Sequence, residues 1–245
     1  MCTRYISPED YEIERAWHIG ARTPERWTRD MHPLYKSPFM RRARDVTDFE
    51  RELVVGQWGL IPSFSPSHIP QTKPKKGEKK GKRLSTVNAR LNGIEAKPTF
   101  RDAWAKSQRC IIPAASFIEP CWETGVHAPW SFRRADGDLW GLAGLWAPWT
   151  DFETGEVWES YTMLTLNANL HPLMSRMHKI DVDPKTKLPL PIQDKRSLVP
   201  IEAHDFDRWL TCTVDEARAM LELPPVHLFD AGPAVDPAHV AEPTP

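Results

Sequence analysis

The chain has 245 residues, 40% of them hydrophobic and 11 of them Trp, enough to bury one sizeable core. Its formal charge of −1 gives no general attraction for a polyanion. Four cysteines, at positions 2, 110, 121 and 212, show no CxxC pair and no metal-ligand spacing. They are too few for a disulfide framework, so the expectation is a reducing, intracellular (cytoplasmic) compartment, with no metal and no cofactor. The N-terminal stretch is charged early and lacks an apolar signal core, and no apolar run reaches the ~18 residues of a membrane span.

Taken in chain order, β-rich apolar runs predict strands over 52–60, 109–119, 139–146 and 157–166. Helical patterns are fewer. A short amphipathic helix is expected at 100–107, a helix or turn at 170–178, and two late surface helices at 203–210 and 214–221. Strands outnumber helices and follow no βαβ order, so the predicted class is α+β. The organisation read from composition is one domain over 1–223, with a mobile loop over about 65–83 and a loose Pro-rich tail over 224–245. The loop contains KPKKGEKKGKR at 73–83, which carries +6 against a chain total of −1, leaving −7 for the rest. Such a block is either a nucleic-acid contact, through Lys75, Lys76, Lys79 and Lys80, or a solvated flexible loop.

The second residue carries distinctive chemistry. The chain opens Met1-Cys2-Thr3-Arg4, and loss of Met1 leaves Cys2 with a free α-amine beside its thiol. Ordinary pKa values of about 8 and about 8.5 make both groups partly available as nucleophiles at neutral pH. A 1,2-aminothiol condenses with an aldehyde to an imine, and the thiol then closes a thiazolidine ring. Condensation needs an uncharged amine and groups that move protons.

Further segments follow in a fixed order: Trp58-Gly59-Leu60-Ile61-Pro62, Asn88-Ala89-Arg90, Arg109-Cys110-Ile111-Ile112-Pro113-Ala114 leading to Phe117-Ile118-Glu119, Ala143-Gly144-Leu145-Trp146, then Ala168-Asn169 and Met177-His178. Each is weak alone. Together, and beginning with Cys2, the chain resembles the SRAP (SOS-response-associated peptidase) family of abasic-site-processing proteins over about 2–210. The resemblance implies an α+β domain around a β-barrel-like antiparallel core with peripheral helices. It implies binding of single-stranded DNA and a thiazolidine crosslink between Cys2 and the aldehyde of an abasic site. "Peptidase" refers to a proposed autoproteolysis that exposes Cys2.

The resemblance also assigns roles. Glu119 matches the family's acid and would shuttle protons. Asn88 would orient the amine and the sugar, since an amide both donates and accepts. Read from the residues themselves, Arg90 and Arg4 are phosphate contacts, as a planar charged fork suits, and Trp58 is an aromatic face to stack on bases or wedge against a duplex end. The family's His–Arg stretch reads as split: Met177-His178 matches the first half, and Lys195-Arg196 resembles the arginine half after an insertion over 179–194. His178 is therefore the catalytic-type His, with His171 as the other candidate. Pro120-Cys121 and Leu91-Asn92 depart from the family's usual residues. The ordinary structural roles are a core Trp, salt-bridged arginines, a turn Asn and a buried His.

Two other readings are compatible with the residues. One is an N-terminal-nucleophile amidotransferase or hydrolase using Cys2, although its usual downstream motifs are not found. The other is a non-catalytic single-stranded DNA-binding module with Cys2 inert. The expected partner is single-stranded DNA bearing an abasic site, and a monomer is compatible with everything in the sequence.

Overall fold

Aromatic and β-branched runs place most of the chain in strands. The structure, a computed structural model, describes residues 1–20, 25–44, 46–79 and 81–234. Its strands are β1 (Arg4–Ile6), β2 (Asp30–Met31), β3 (Lys36–Arg42), β4 (Arg51–Trp58), β5 (Asn88–Arg90), β6 (Arg109–Ala114), β7 (Ser116–Cys121), β8 (Ala128–Arg134), β9 (Trp140–Thr150), β10 (Val157–Asn167), β11 (Arg196–Leu198) and β12 (Phe229–Pro233). Its helices are α1 (Asp10–Trp17), α2 (Arg101–Ala105), α3 (Phe206–Thr211) and α4 (Val214–Met220).

Strands β10, β4, β3, β6 and β9 bond in that order, and β9 pairs back onto β10, closing a five-stranded barrel. The class is α+β, a single domain around a barrel. The barrel is antiparallel except at its seam, where Ser160 and Tyr161 of β10 run parallel to Gln57 and Trp58 of β4. Strand β5 extends the parallel pairing along β10, with Asn88 opposite Met163. A second, antiparallel sheet has the order β12-β8-β7-β1-β2.

One core cluster contains Cys2, Tyr5, Trp58, Phe117, Phe132, Trp140, Tyr161 and Met177. The other gathers the apolar faces of α1 to α4, including Ile13, Trp17, Trp104, Phe206 and Trp209. On β9, a Cβ at Gly144 would run into the Ile112 side chain and the Thr162 carbonyl, so close approach of the barrel strands requires glycine there.

The single strand expected over 109–119 is two. Strand β6 belongs to the barrel and β7 to the second sheet, and the chain changes sheets at Ala115, whose N–H donates to the Ile6 carbonyl at 2.8 Å. Both strands are almost wholly buried, so an unbroken apolar run does not reveal the transfer. Helix α1 lies in a stretch where no element was expected. The Glu12 carboxylate accepts the Glu9 N–H at 2.7 Å, half of a capping box, and Ile13 and Trp17 are buried. Strand β3 contains Pro38 and β8 contains Pro129, which obscure both in the sequence.

The tail is corrected as well. Residues 229–233 form β12, pairing Phe229 with Arg134 and Pro233 with Trp130. The Phe229 ring packs 5.4 Å from Trp140 and 6.0 Å from Phe132. Proline density hides a strand that covers core aromatics; residues 235–245 lie outside the described ones. The basic loop is an excursion closed at its base, where Thr72 N–H donates to Lys82 at 2.9 Å and Leu84 N–H to Pro70 at 2.8 Å.

Candidate active site

The site forms where the N-terminus runs alongside β7. Strand β1 pairs Arg4 with Ile118 and Tyr5 with Phe117, which sets Cys2 against the barrel-facing side of the second sheet. The Cys2 thiol is fully buried and directed at the carbonyls of Arg4 (3.2 Å) and Ile118 (3.7 Å). Burial, and then the nearby Glu119 carboxylate, push its pKa far above the ordinary thiol value. This corrects the expectation of a partly ionised thiol: it is held protonated. The Cys2 carbonyl accepts from Asn88 Nδ2 at 2.6 Å. Asn88 heads β5, so the parallel seam along β10 is what delivers that amide to the N-terminus.

Alternation along β7 puts Glu119 on the same face as Phe117, turned inward and almost completely buried. Its Oε2 lies 3.7 Å from the Met1 α-amine and 3.4 Å from His178 Nε2. These are ion-pair distances rather than full hydrogen bonds, and Oε2 has no hydrogen-bond partner, leaving acceptor capacity free. Desolvation raises the Glu119 pKa to about 7, partly offset by the α-amine.

His178 reaches the same point from a long excursion between β10 and β11. Its N–H donates to the Pro120 carbonyl at 2.6 Å, tying it to β7, and its backbone is left-handed with φ 64°. Lys195 Nζ donates to the carbonyls of Met177 (2.8 Å) and His178 (2.7 Å) and so clamps this turn. The ring nitrogens Nδ1 and Nε2 lie 2.9 and 3.3 Å from the Met1 amine. Burial, and then the amine, lower the His178 pKa to about 4, so the imidazole is neutral at pH 7. Its lone pair can take a hydrogen bond from an amine. The α-amine, on an exposed Met1, therefore sits in a niche between a buried acid and a neutral base, an arrangement suited to proton transfer at nitrogen.

Cys2, Asn88, Glu119 and His178 are thus brought together. His171 is not at this niche. Its Nδ1 accepts the N–H groups of Leu173 (3.2 Å) and Met174 (3.0 Å), and its Nε2 faces the Pro224 carbonyl at 2.8 Å, a buried structural His. Trp58 departs from the expected base-stacking role. It is fully buried, its Nε1 donates to Val87 at 3.0 Å, and its ring meets Tyr5 edge-on at 4.9 Å. A residue closing the barrel seam has no free face for a base. Arg4 is also displaced from the niche. It lies on the face of the second sheet away from Glu119, lines a groove of about 450 Å³, and makes a two-pronged ion pair with Asp30 at 2.8 Å.

Arg90 stands two residues after Asn88, partly exposed, with Nη2 2.8 Å from Asp194 Oδ2. Lys75, Lys76 and Lys79 are exposed on the basic loop; Lys80 lies outside the described residues. Sequence reasoning assigns neither Lys195 nor Asp194 a role of its own. The Lys195-Arg196 pair is recognisable only as the arginine half of a split motif, and clamping of a turn by carbonyl contacts has no short sequence signature.

Comparison with known proteins settles the relationship. The profile described as "SOS response associated peptidase (SRAP)" matches residues 1–233. The chain belongs to the SRAP family. Within it, the chain is 28% identical over 238 residues to the abasic site processing protein YobE of Bacillus subtilis, covering 91% of this chain and 99% of that one. It is 26% identical over 151 residues to the abasic site processing protein HMCES of Pongo abelii, covering 51% of this chain and 40% of the relative. A crystal structure of a protein from Bordetella bronchiseptica superposes with a TM-score of 0.76 at 32% identity, covering 96% of this chain and all of that one. The SRAP match extends through β12, consistent with that strand being part of the domain. No helix among the described residues is long and apolar enough to cross a membrane.

Proposed function

We propose that this SRAP protein processes abasic sites by covalent capture of single-stranded DNA through Cys2. The observation that carries the reading is the N-terminal amine held between Glu119 and a neutral His178. Met1 must first be removed, by the protein itself or by an aminopeptidase. The new amine then lies one residue, at most ~3.6 Å, along the chain from the present one.

The steps follow from the site. The Cys2 amine adds to the C1′ aldehyde of the ring-opened deoxyribose, giving a carbinolamine. Glu119 takes the proton released at nitrogen and returns it to the departing hydroxyl, so one water leaves and an imine forms. The Cys2 Sγ–H then adds across the C=N bond: sulfur bonds to C1′, the proton ends on nitrogen, and the thiazolidine closes. The overall change is loss of one water, with no oxidation or reduction. A thiol held protonated by burial favours this order, amine first and sulfur second, over the thiolate attack an amidotransferase needs. His178 would act on the sugar oxygen during ring opening, and Asn88 would hold the Cys2 backbone through its carbonyl. Reversal uses the same proton transfers, again through Glu119. Arg90 and the lysines of the basic loop would meet the phosphates, positioning the strand without reading sequence.

The test is a denaturing gel with single-stranded DNA carrying one abasic site, beside an undamaged control, using protein whose N-terminus is shown to be Cys2. A band that survives heat and SDS, appears only with the lesion and is lost in Cys2→Ala is expected. Wild-type crosslinking by Cys2→Ala would sink the mechanism. No band from the wild type would leave a non-covalent binder.

A further inference from the structure

Asp194 joins the guanidinium groups of Arg90 and Arg196. Its Oδ2 lies 2.8 Å from Arg90 Nη2, while its Oδ1 lies 2.6 Å from Arg196 Nη2 and accepts from Arg196 Nε at 2.7 Å. Arg90 shares β5 with Asn88, and the Arg196 carbonyl faces His178 Nε2 at 3.4 Å. Both are therefore tied to elements that build the niche. Asp194 closes the excursion over 179–194, the insertion that splits the family's His–Arg stretch.

A carboxylate that gives one oxygen to each of two guanidiniums has the charge and acceptor layout of a phosphodiester's two non-bridging oxygens. Arg196 adds a second observation. Its side chain is only 8% exposed, and its Nη1 is buried without a hydrogen-bond partner. A phosphate, with further acceptor lone pairs, could use the donor that Asp194 leaves idle. We propose that Asp194 is an internal phosphate surrogate: it holds Arg90 and Arg196 in the free protein, and a phosphate of the bound strand displaces it.

Exchange starts on the Arg90 side, because the Arg196 side of Asp194 is the buried one. The Arg90–Asp194 pair is 47% and 36% exposed, a setting in which ion pairs contribute little. Ile180, Leu188 and Ile192 of the excursion are exposed, so the excursion itself holds little buried apolar surface. The base of the excursion has bonds of its own. The Asp194 N–H donates to Asp181 Oδ2 at 3.0 Å, and the Asp181 N–H to Gln193 Oε1 at 2.7 Å. These do not use the Asp194 carboxylate and survive its neutralisation. The functional consequence is selectivity. Phosphate-only binding of undamaged strands is weakened by the competitor, while covalent capture at a lesion is not reversed by it.

This inference rests on the DNA reading, and one experiment separates the two. An undamaged, dye-labelled single-stranded oligonucleotide is titrated by fluorescence anisotropy at several salt concentrations. The proteins are the wild type, Asp194→Asn, Arg90→Gln and the double variant, each checked for folding by circular dichroism. Asp194→Asn is expected to bind ~10-fold tighter at low salt. Its slope of log K against log salt should steepen by about 1, because its guanidiniums are no longer neutralised before binding. In the Arg90→Gln background the gain should fall below ~3-fold, as expected for coupled groups. Equal or weaker binding by Asp194→Asn, or a gain that persists without Arg90, overturns the surrogate and leaves the DNA reading standing. If folded wild type and Asp194→Asn both fail to bind at any salt, the DNA reading falls and the surrogate with it.

Discussion

Glu119 Oε2 and His178 Nε2 lie 3.4 Å apart, and their acidities are inverted. In water a histidine takes the proton from a carboxylic acid. Here desolvation raises Glu119 to about 7 and lowers His178 to about 4, so between those pH values the carboxyl carries a proton and the imidazole does not. The acid, rather than the imidazole, is therefore the group poised to give and take a proton near neutral pH.

Replacing Glu119 should separate stability from activity. Its folded pKa is raised, so its contribution is fully favourable below about pH 4.5 and declines as pH rises through about 7. His178 has a depressed folded pKa, so its contribution is present above about 6.5 and is lost as pH falls through about 4. The two slopes oppose each other in wild type. Glu119→Gln removes the declining one and should be more stable than wild type at pH 8, by at most ~3 kcal/mol, with little difference at pH 4. Urea denaturation across pH 4–8 reads this directly. The same variant should lose any inflection near pH 7 in its crosslinking rate; a retained inflection would remove Glu119 from the proton path.

Asn88→Ala deletes the 2.6 Å bond to the Cys2 carbonyl. A net hydrogen bond contributes ~1 kcal/mol, so a stability loss of that order is expected. The effect on capture should be larger, roughly 10- to 100-fold in single-turnover rate, because misplacing the reacting amine costs more than the bond. Asn88→Asp should do no better, since a carboxylate cannot donate to that carbonyl. Equal crosslinking rates for wild type and Asn88→Ala would show that the amide does not position Cys2.

Trp58 provides a test of burial against binding. Truncation to Ala should destabilise the fold by ~3–5 kcal/mol through the cavity left beside Tyr5. The affinity of the remaining folded protein for undamaged single-stranded DNA should be unchanged. A weaker affinity at full folding, by anisotropy alongside circular dichroism, would return Trp58 to the DNA interface.

The basic loop is expected to act through charge alone. Changing Lys75, Lys76 and Lys79 together to Gln should reduce the salt slope of single-stranded DNA binding by about 2, at ~0.7 for each phosphate no longer neutralised. The final yield of crosslink at saturating DNA should stay at the wild-type level. An unchanged salt slope would assign the loop to solvent.

Some of this molecule was determined by local order in the sequence. Runs rich in Trp, Val and Leu are long enough to declare β4, β9 and β10, because period and burial are local properties. Cys2, Asn88, Glu119 and His178 were legible as motifs, each set in a short neighbourhood of distinctive residues. Tertiary structure decided the rest. Strands β3, β8 and β12 carry prolines that argue against pairing until a neighbouring strand supplies the register. The break at Ala115 is invisible in an apolar run, yet it carries the chain from barrel to sheet and turns Glu119 toward the amine. The choice between His171 and His178, the burial of Trp58, the ion pair of Arg4 with Asp30, and the seat of Asp194 between Arg90 and Arg196 all depend on contacts between distant segments. The sequence determined which chemical groups this protein has. Packing decided which of them lose water and which charges they face, and those two quantities set the protonation states on which the proposed chemistry depends.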